Sequence, residues 1–282
     1  LYGWLMDEVH ARELGRNMPS AYGLLPSKEY INHVSASPVT FVDSIQSGPT
    51  FNMFKSYGSA ISSYTEFKDF LFGNEGRLSP LIDQTDLPIK ISQNLFDQAE
   101  DLHNDIDSWI PPKTMRVIEV AGWGLDTIAS FEYYPKYTCN GNPGPQACST
   151  VLDQRPRFTV DGDKTVVVPS AQYMSFLGSS EKYWVDFANY NSLLRVNRDH
   201  KNILEVSELN NFISEIIMNE SVNYNSVFRN STPISNGNRF RLSIHSPVAL
   251  DAYDSVGNHT GKICPTTSDF CYVQENIPNS SY

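Results

Sequence analysis

A change of hydrophobic period near residue 113 constrains this chain more than any other feature. "KTMRVIEVAGWG", Lys113 to Gly124, is a short apolar run closing on glycines, which predicts a buried strand whose end opens into a loop. "RFTV" at 157 to 160 and "KYWVDF" at 182 to 187 are two further strand candidates. "ILEVSELNNFISEII" then spaces Ile203, Leu204, Val206, Leu209, Phe212, Ile216 and Ile217 as one amphipathic helix would. Strands alternating with helices predict an α/β architecture with a central, mostly parallel sheet. Chemistry in such sheets sits at the carboxyl ends of the strands.

Either side of this segment the pattern differs. Residues 1 to 16 place Leu5, Met6, Val9 and Leu14 on one helical face, and Pro19, Gly23 and Pro26 then break it. From 27 to about 110 the chain is aromatic and polar, with short helices expected in "FNMFKSYG" and "SYTEFKDFLFG". The clearest helix there carries Leu95, Ala99, Leu102, Ile106 and Trp109 at three- and four-residue steps and stops at Pro111. Residues 230 to 238 read as a linker. Alternation around a "VGN" turn predicts the start of a small, partial β-sandwich-like module over 239 to 282.

The net charge of −11 argues against a nucleic-acid partner, because phosphate binding needs clustered Lys and Arg. No run of eighteen apolar residues is present to form a transmembrane helix, and charges come too early for a signal peptide. The chain reads as a piece of a longer protein. Its four cysteines form two close pairs, Cys139 with Cys148 and Cys264 with Cys271, each bracketing a short polar loop. Their spacing is wider than zinc-binding thiolates use, so disulfides in an oxidising compartment are the preferred reading over four reduced thiols. No metal-binding motif and no cofactor motif is found.

Only histidine titrates near neutrality, so the six histidines are the first candidates for a general base. His10, His33, His103, His245 and His259 read as surface or capping residues. His200 differs: "LLRVNRDHKNILEV" places it in a loop between a strand-like run and a helix, where a rigid sheet positions catalytic groups. An orienting acid is available in "VDGDKTVVVPSA", where Asp163 stands beyond the end of "RFTV", with Asp161 as its competitor. Acid then histidine on successive strand-end loops is the chain order of the α/β-hydrolase triad, in which a serine comes first.

"AGWGLDTIASFEYYP", "DGDKTVVVPSA" and "DHKNILEVSELNNFI" resemble, in the same order, the strand-loop, acid and histidine motifs of the lecithin:cholesterol acyltransferase-like family of α/β-hydrolase lipases and acyltransferases. "GRNMPSAYGLLPS" resembles the segment before that family's cap, and the likeness spans roughly residues 12 to 217. The resemblance implies that residues 1 to 232 are the C-terminal portion of an α/β-hydrolase domain, with a helical cap inserted at about 27 to 110. It implies Asp163 as the acid and His200 as the base. It also implies an acyl-chain pocket with Phe51, Phe54 and Phe70 among its lining residues and Trp123 as a wall. Gly122 and Gly124 are expected to allow tight backbone beside it.

One departure stands out. No G-x-S-x-G occurs, so the family's nucleophile turn has no match among these residues and is expected upstream of Leu1. The expected function is a serine-dependent carboxylic-ester hydrolase or acyltransferase on lipid-type acyl esters, inactive as this piece alone. An extracellular or cell-surface location and peripheral contact with lipid go with it. The alternative is a catalytically inactive hydrolase-fold binding or adhesion protein of the cell surface. Under the enzyme reading the terminal β module is expected to be dispensable.

Overall fold

In the computed structural model, the residues described are 7–34, 36–42, 53, 55–85, 87–139, 148–174, 180–234, 250–264, 271–277 and 280. The fold mixes helices with small mixed sheets, as the α/β reading expects at that coarse level. It divides into two compact units, residues 1–111 with 129–157, and residues 112–128 with 158–282.

The first unit contains α1 (Glu8–Asn17), α2 (Pro19–Tyr22), α3 (Lys28–His33), β1 (Val39–Phe41), α4 (Tyr64–Phe72) and α5 (Gln93–Ile106). It also takes most of β3 (Thr127–Cys139) and β4 (Cys148–Thr159). α4 shows how its local sequence sets its ends: Ser63 and Glu66 form a capping box, and Gly73 closes the helix at φ 66°, a left-handed conformation natural to glycine. β1 runs parallel to β3, with Val39 opposite Phe131, and β4 lies on the other side of β3. A strand thus stands inside the stretch read as a helical cap.

The core of this unit is aromatic. Phe41, Tyr57, Phe70 and Tyr133 pack with ring centroids 5.7 to 6.1 Å apart. Arg77 lies 4.6 Å over the Phe70 ring and pairs with Glu75 at 3.0 Å. Loss of solvent lowers the Arg77 pKa, and the Glu75 charge opposes that shift. In α5 the expected face is displaced. Phe96 is the buried residue and packs on Phe72 at 5.2 Å, whereas Leu102, Ile106 and Trp109 are exposed.

The second unit is built on β2 (Val117–Trp123), which pairs in parallel with β5 (Ser180–Asp186) from Val117 opposite Ser180 to Trp123 opposite Asp186. β6 (Phe228–Arg229) adds antiparallel to β5. The chain leaves β5 directly into α7 (Phe187–Leu194), capped by Asp186, whose side chain accepts from the Asn189 amide at 2.9 Å. The short helix α6 (Val168–Ala171) lies between β4 and β5. A 3-10 turn (His200–Glu205) and α8 (Ser207–Met218) follow α7.

The single helix expected from Ile203 is therefore two elements. Val206 sits between them in extended conformation, fully buried, so the chain bends where its side chain enters the core. Val206, Leu209 and Phe212 are buried with Val185, Phe187 and Phe228, while Leu204 and Ile217 point to solvent. Complete burial of Val185, Phe187 and Phe228 contributes roughly 1.5–3 kcal/mol each.

The same unit includes a terminal antiparallel sheet of β7 (Asp251–Tyr253), β8 (His259–Ile263) and β9 (Tyr272–Glu275). The Cys264–Cys271 disulfide closes the β8–β9 connection. The side chains of Cys139 and Cys148 lie outside the described residues. No helix among the described residues is long and apolar enough to cross a membrane.

Candidate active site

Two loops meet in the second unit: one beyond the end of β4, and one after α7, where the sequence reading expected a strand-like run before His200 and the structure has the end of a helix. The first follows β4: Leu125 bridges Asp163 in parallel, and Gly162 bridges Val167 in antiparallel fashion. Asp163 turns its side chain back into this loop. One carboxylate oxygen accepts from the amides of Thr165 at 3.1 Å and Val166 at 2.7 Å. The other lies 2.9 Å from Nδ1 of His200. The backbone repeats the link, since the His200 amide donates to the Asp163 carbonyl at 3.0 Å. Both sequence candidates are thus brought together across 37 residues of chain.

Their exposures differ in a useful way. The Asp163 side chain is 5 % exposed and that of His200 is 47 % exposed. An ionised carboxylate only accepts, so Nδ1 of a neutral His200 carries the hydrogen and Nε2 keeps its lone pair. Nε2 makes no hydrogen bond among the described residues. A buried acid thus orients an imidazole whose reactive nitrogen remains accessible.

The surroundings show why the acid loop holds its shape. Thr127 is fully buried, and its hydroxyl donates to the Leu125 carbonyl at 3.0 Å while accepting from the Lys164 amide at 2.8 Å. Lys164 has φ 82°, a left-handed conformation that a non-glycine residue keeps only when its neighbours enforce it. Gly122, beneath the loop, is required by close approach. A Cβ there would lie 2.5 Å from Asp163 Cβ and 2.7 Å from the Phe187 ring. Gly124 likewise faces Ala188 with a Cβ position 2.9 Å from its backbone nitrogen, so both glycines do provide the tight backbone expected of them.

The histidine loop is secured from within. The buried Asn191 side chain bonds both backbone groups of Arg198, accepting from its amide at 2.8 Å and donating to its carbonyl at 2.9 Å. Asp199 then caps the turn that starts at His200, accepting from the Lys201 amide at 3.2 Å. Thr127, Lys164 and Asn191 had no signal in the sequence, because the partner each one holds is fixed by the fold and not by residue type.

The other candidates fall in different places. Asp161 is half-buried, and its pKa is raised by loss of solvent, an effect opposed by a hydrogen bond from Trp123. Its carbonyl accepts from the Val168 amide at 2.9 Å, so it shapes the turn that presents Asp163. Trp123 is buried against Ala121, Val168 and Trp184 as a packing residue beside the pair. A depression of about 200 Å³ opens nearby, lined by Asp161, Val168, Gln172, Lys182, Trp184 and others, smaller than the 300–1,000 Å³ usual for ligand pockets. Phe70 is buried in the aromatic core of the first unit. Phe51 and Phe54 lie outside the described residues, as does His245.

His259 departs from its surface reading. It is 8 % exposed, with Nε2 at 2.8 Å from Asp251 and Nδ1 at 2.9 Å from the Gln274 amide oxygen. The hydrogen bond to Asp251, then that to Gln274, raises its pKa. With both ring nitrogens engaged, this second histidine–acid pair is an internal tie. Among the described residues no group of three or more His, Cys, Asp or Glu side chains is placed to hold a metal ion.

Comparison with protein-family models, with curated proteins and with solved structures found no match to this chain.

Proposed function

We propose that Asp163 and His200 are the acid and base of a serine-dependent carboxylic-ester hydrolase or acyltransferase of the α/β-hydrolase type, acting on lipid-type acyl esters. The supporting observation is the 2.9 Å contact between a buried Asp163 and a His200 whose Nε2 is open. Two further features agree with it: the parallel β2–β5 pair beneath the loops, and Asp163 preceding His200 in the chain. The serine is assigned to a segment outside these 282 residues.

In this reading Nε2 of His200 takes the proton from the serine hydroxyl as its oxygen attacks the ester carbonyl. The resulting imidazolium is stabilised by Asp163, which is already hydrogen-bonded and desolvated and so needs little reorganisation. The proton passes to the leaving alcohol, and an acyl-enzyme remains. Water then completes hydrolysis, or an alcohol completes acyl transfer, with His200 again as base. The Cys264–Cys271 disulfide supports an extracellular or cell-surface setting for this chemistry.

The test is expression of the reading frame that contains this chain together with its upstream segment, assayed on p-nitrophenyl esters of short and long acyl chains. Asp163→Asn should lower kcat by about 10⁴ and His200→Ala by about 10⁶. Turnover at the parent level in either variant removes that residue from the mechanism.

A further inference from the structure

Lys164 joins the acid loop to the terminal sheet. Its Nζ lies 2.7 Å from both carboxylate oxygens of Glu275 in β9, 111 residues later in the chain. The two side chains are 30 % and 21 % exposed, so the pair is partly shielded from water. Lys164 is also the residue held at φ 82° between Asp163 and the amides that bind its carboxylate. Glycine would occupy this position without steric cost, whereas lysine adds a side chain able to reach Glu275.

A second tie reaches the histidine loop. Asn197, three residues before His200, donates from its side-chain amide to the Ile277 carbonyl at 3.2 Å. Glu275 and Ile277 therefore touch the loops of both Asp163 and His200. The sheet carrying them is braced internally by His259, bonded to Asp251 and Gln274, and by the Cys264–Cys271 disulfide. A flexible tail could not hold two loops in register; a braced sheet can.

We infer that Glu275 is a positioning residue for the Asp163–His200 pair, acting through Lys164, and that the terminal sheet is a clamp on the site rather than a dispensable module. This rests on the reading of the pair as acid and base. A partly exposed ion pair adds little to global stability. Its effect is on geometry: release of Lys164 lets the acid loop relax and loosens the orientation of the imidazole. Small misplacements of catalytic groups cost rate more than binding.

Two measurements separate the clamp from the reading beneath it. In the 282-residue chain, proton-detected NMR follows hydrogen exchange at Nδ1 of His200. Glu275→Gln and Lys164→Met should each speed that exchange several-fold, and the swap of Lys164→Glu with Glu275→Lys should restore it. In the full reading frame, the same single variants should lower kcat for p-nitrophenyl butyrate about ten-fold at unchanged KM and nearly unchanged Tm, with recovery in the swap. Unaltered exchange and kcat in Glu275→Gln overturn the clamp and leave the roles of Asp163 and His200 standing. Parent-level turnover in His200→Ala instead overturns the catalytic reading, and the exchange measurement still decides whether Glu275 positions His200.

Discussion

Replacing Gly122 by alanine tests how tightly the acid is seated. The added Cβ would stand 2.5 Å from Asp163 Cβ, 2.7 Å from Cε2 of Phe187 and 3.2 Å from Asp163 Oδ2. Carbon atoms in contact sit about 3.5–4.0 Å apart, so roughly 1 Å must be found. Phe187 is fully buried and cannot yield it cheaply, which leaves the Asp163 loop to move. A shift of that size would stretch the 2.9 Å bond to His200 beyond hydrogen-bonding range. Overpacking of this kind costs about 1–3 kcal/mol, so Tm should fall by several degrees. The His200 Nδ1 proton should at the same time lose its protection from exchange. Gly15→Ala is the control: nothing lies within 4 Å of its Cβ position in α1, and alanine there should stabilise by about 0.5–1 kcal/mol. A Gly122→Ala protein with parent Tm and a protected His200 proton would show that the close approach does not constrain Asp163.

Two further expectations concern the terminal sheet. The Cys264–Cys271 bridge closes a loop of sequence separation 7, and such a loop contributes about 2–3 kcal/mol through the unfolded state. Reduction with dithiothreitol should accelerate amide exchange in β8 and β9 while leaving β2 and β5 protected, and uniform exchange across both sheets would contradict this. The raised pKa of His259, caused first by its bond to Asp251, carries a sign. The stability it supplies is complete below the pKa of an unfolded histidine and is lost as pH rises through the higher folded value. Exchange protection of β7 to β9 should therefore fall on the alkaline side of that window, and the fall should vanish in His259→Gln. A pH-independent sheet in the parent protein would refute the assignment.

The sequence singled out the contacting pair Asp163 and His200 more readily than the fold around it. Asp163 and His200 were legible because each sits in a polar loop beside an apolar strand or helix, and that contrast survives without any knowledge of pairing. β2 and β5 were legible for the same reason. Of the long strands β3 and β4 only the "RFTV" end of β4 was legible, because internal Pro135 and Pro156 argue against a continuous strand. In α5 the largest apolar stripe was the wrong guide. A single aromatic, Phe96, seats the helix through Phe72, and the stripe through Leu102 and Ile106 lies exposed. The supports of the site were invisible for a different reason. Thr127 and Gly122 act through a hydrogen bond or close approach to distant residues, and Asn191 through bonds to the backbone of Arg198 across a turn; residue type alone does not encode such a partner.

The Asp163–His200 contact also says something about the order of assembly. Joining points 37 residues apart costs about 3 kcal/mol of chain entropy, more than one hydrogen bond typically returns on its own. The contact therefore cannot nucleate folding. It forms once β5 and α7 have shortened the path between its two loops. The acid–histidine geometry is, in this arrangement, a late event in folding that follows the pairing of the sheet beneath it.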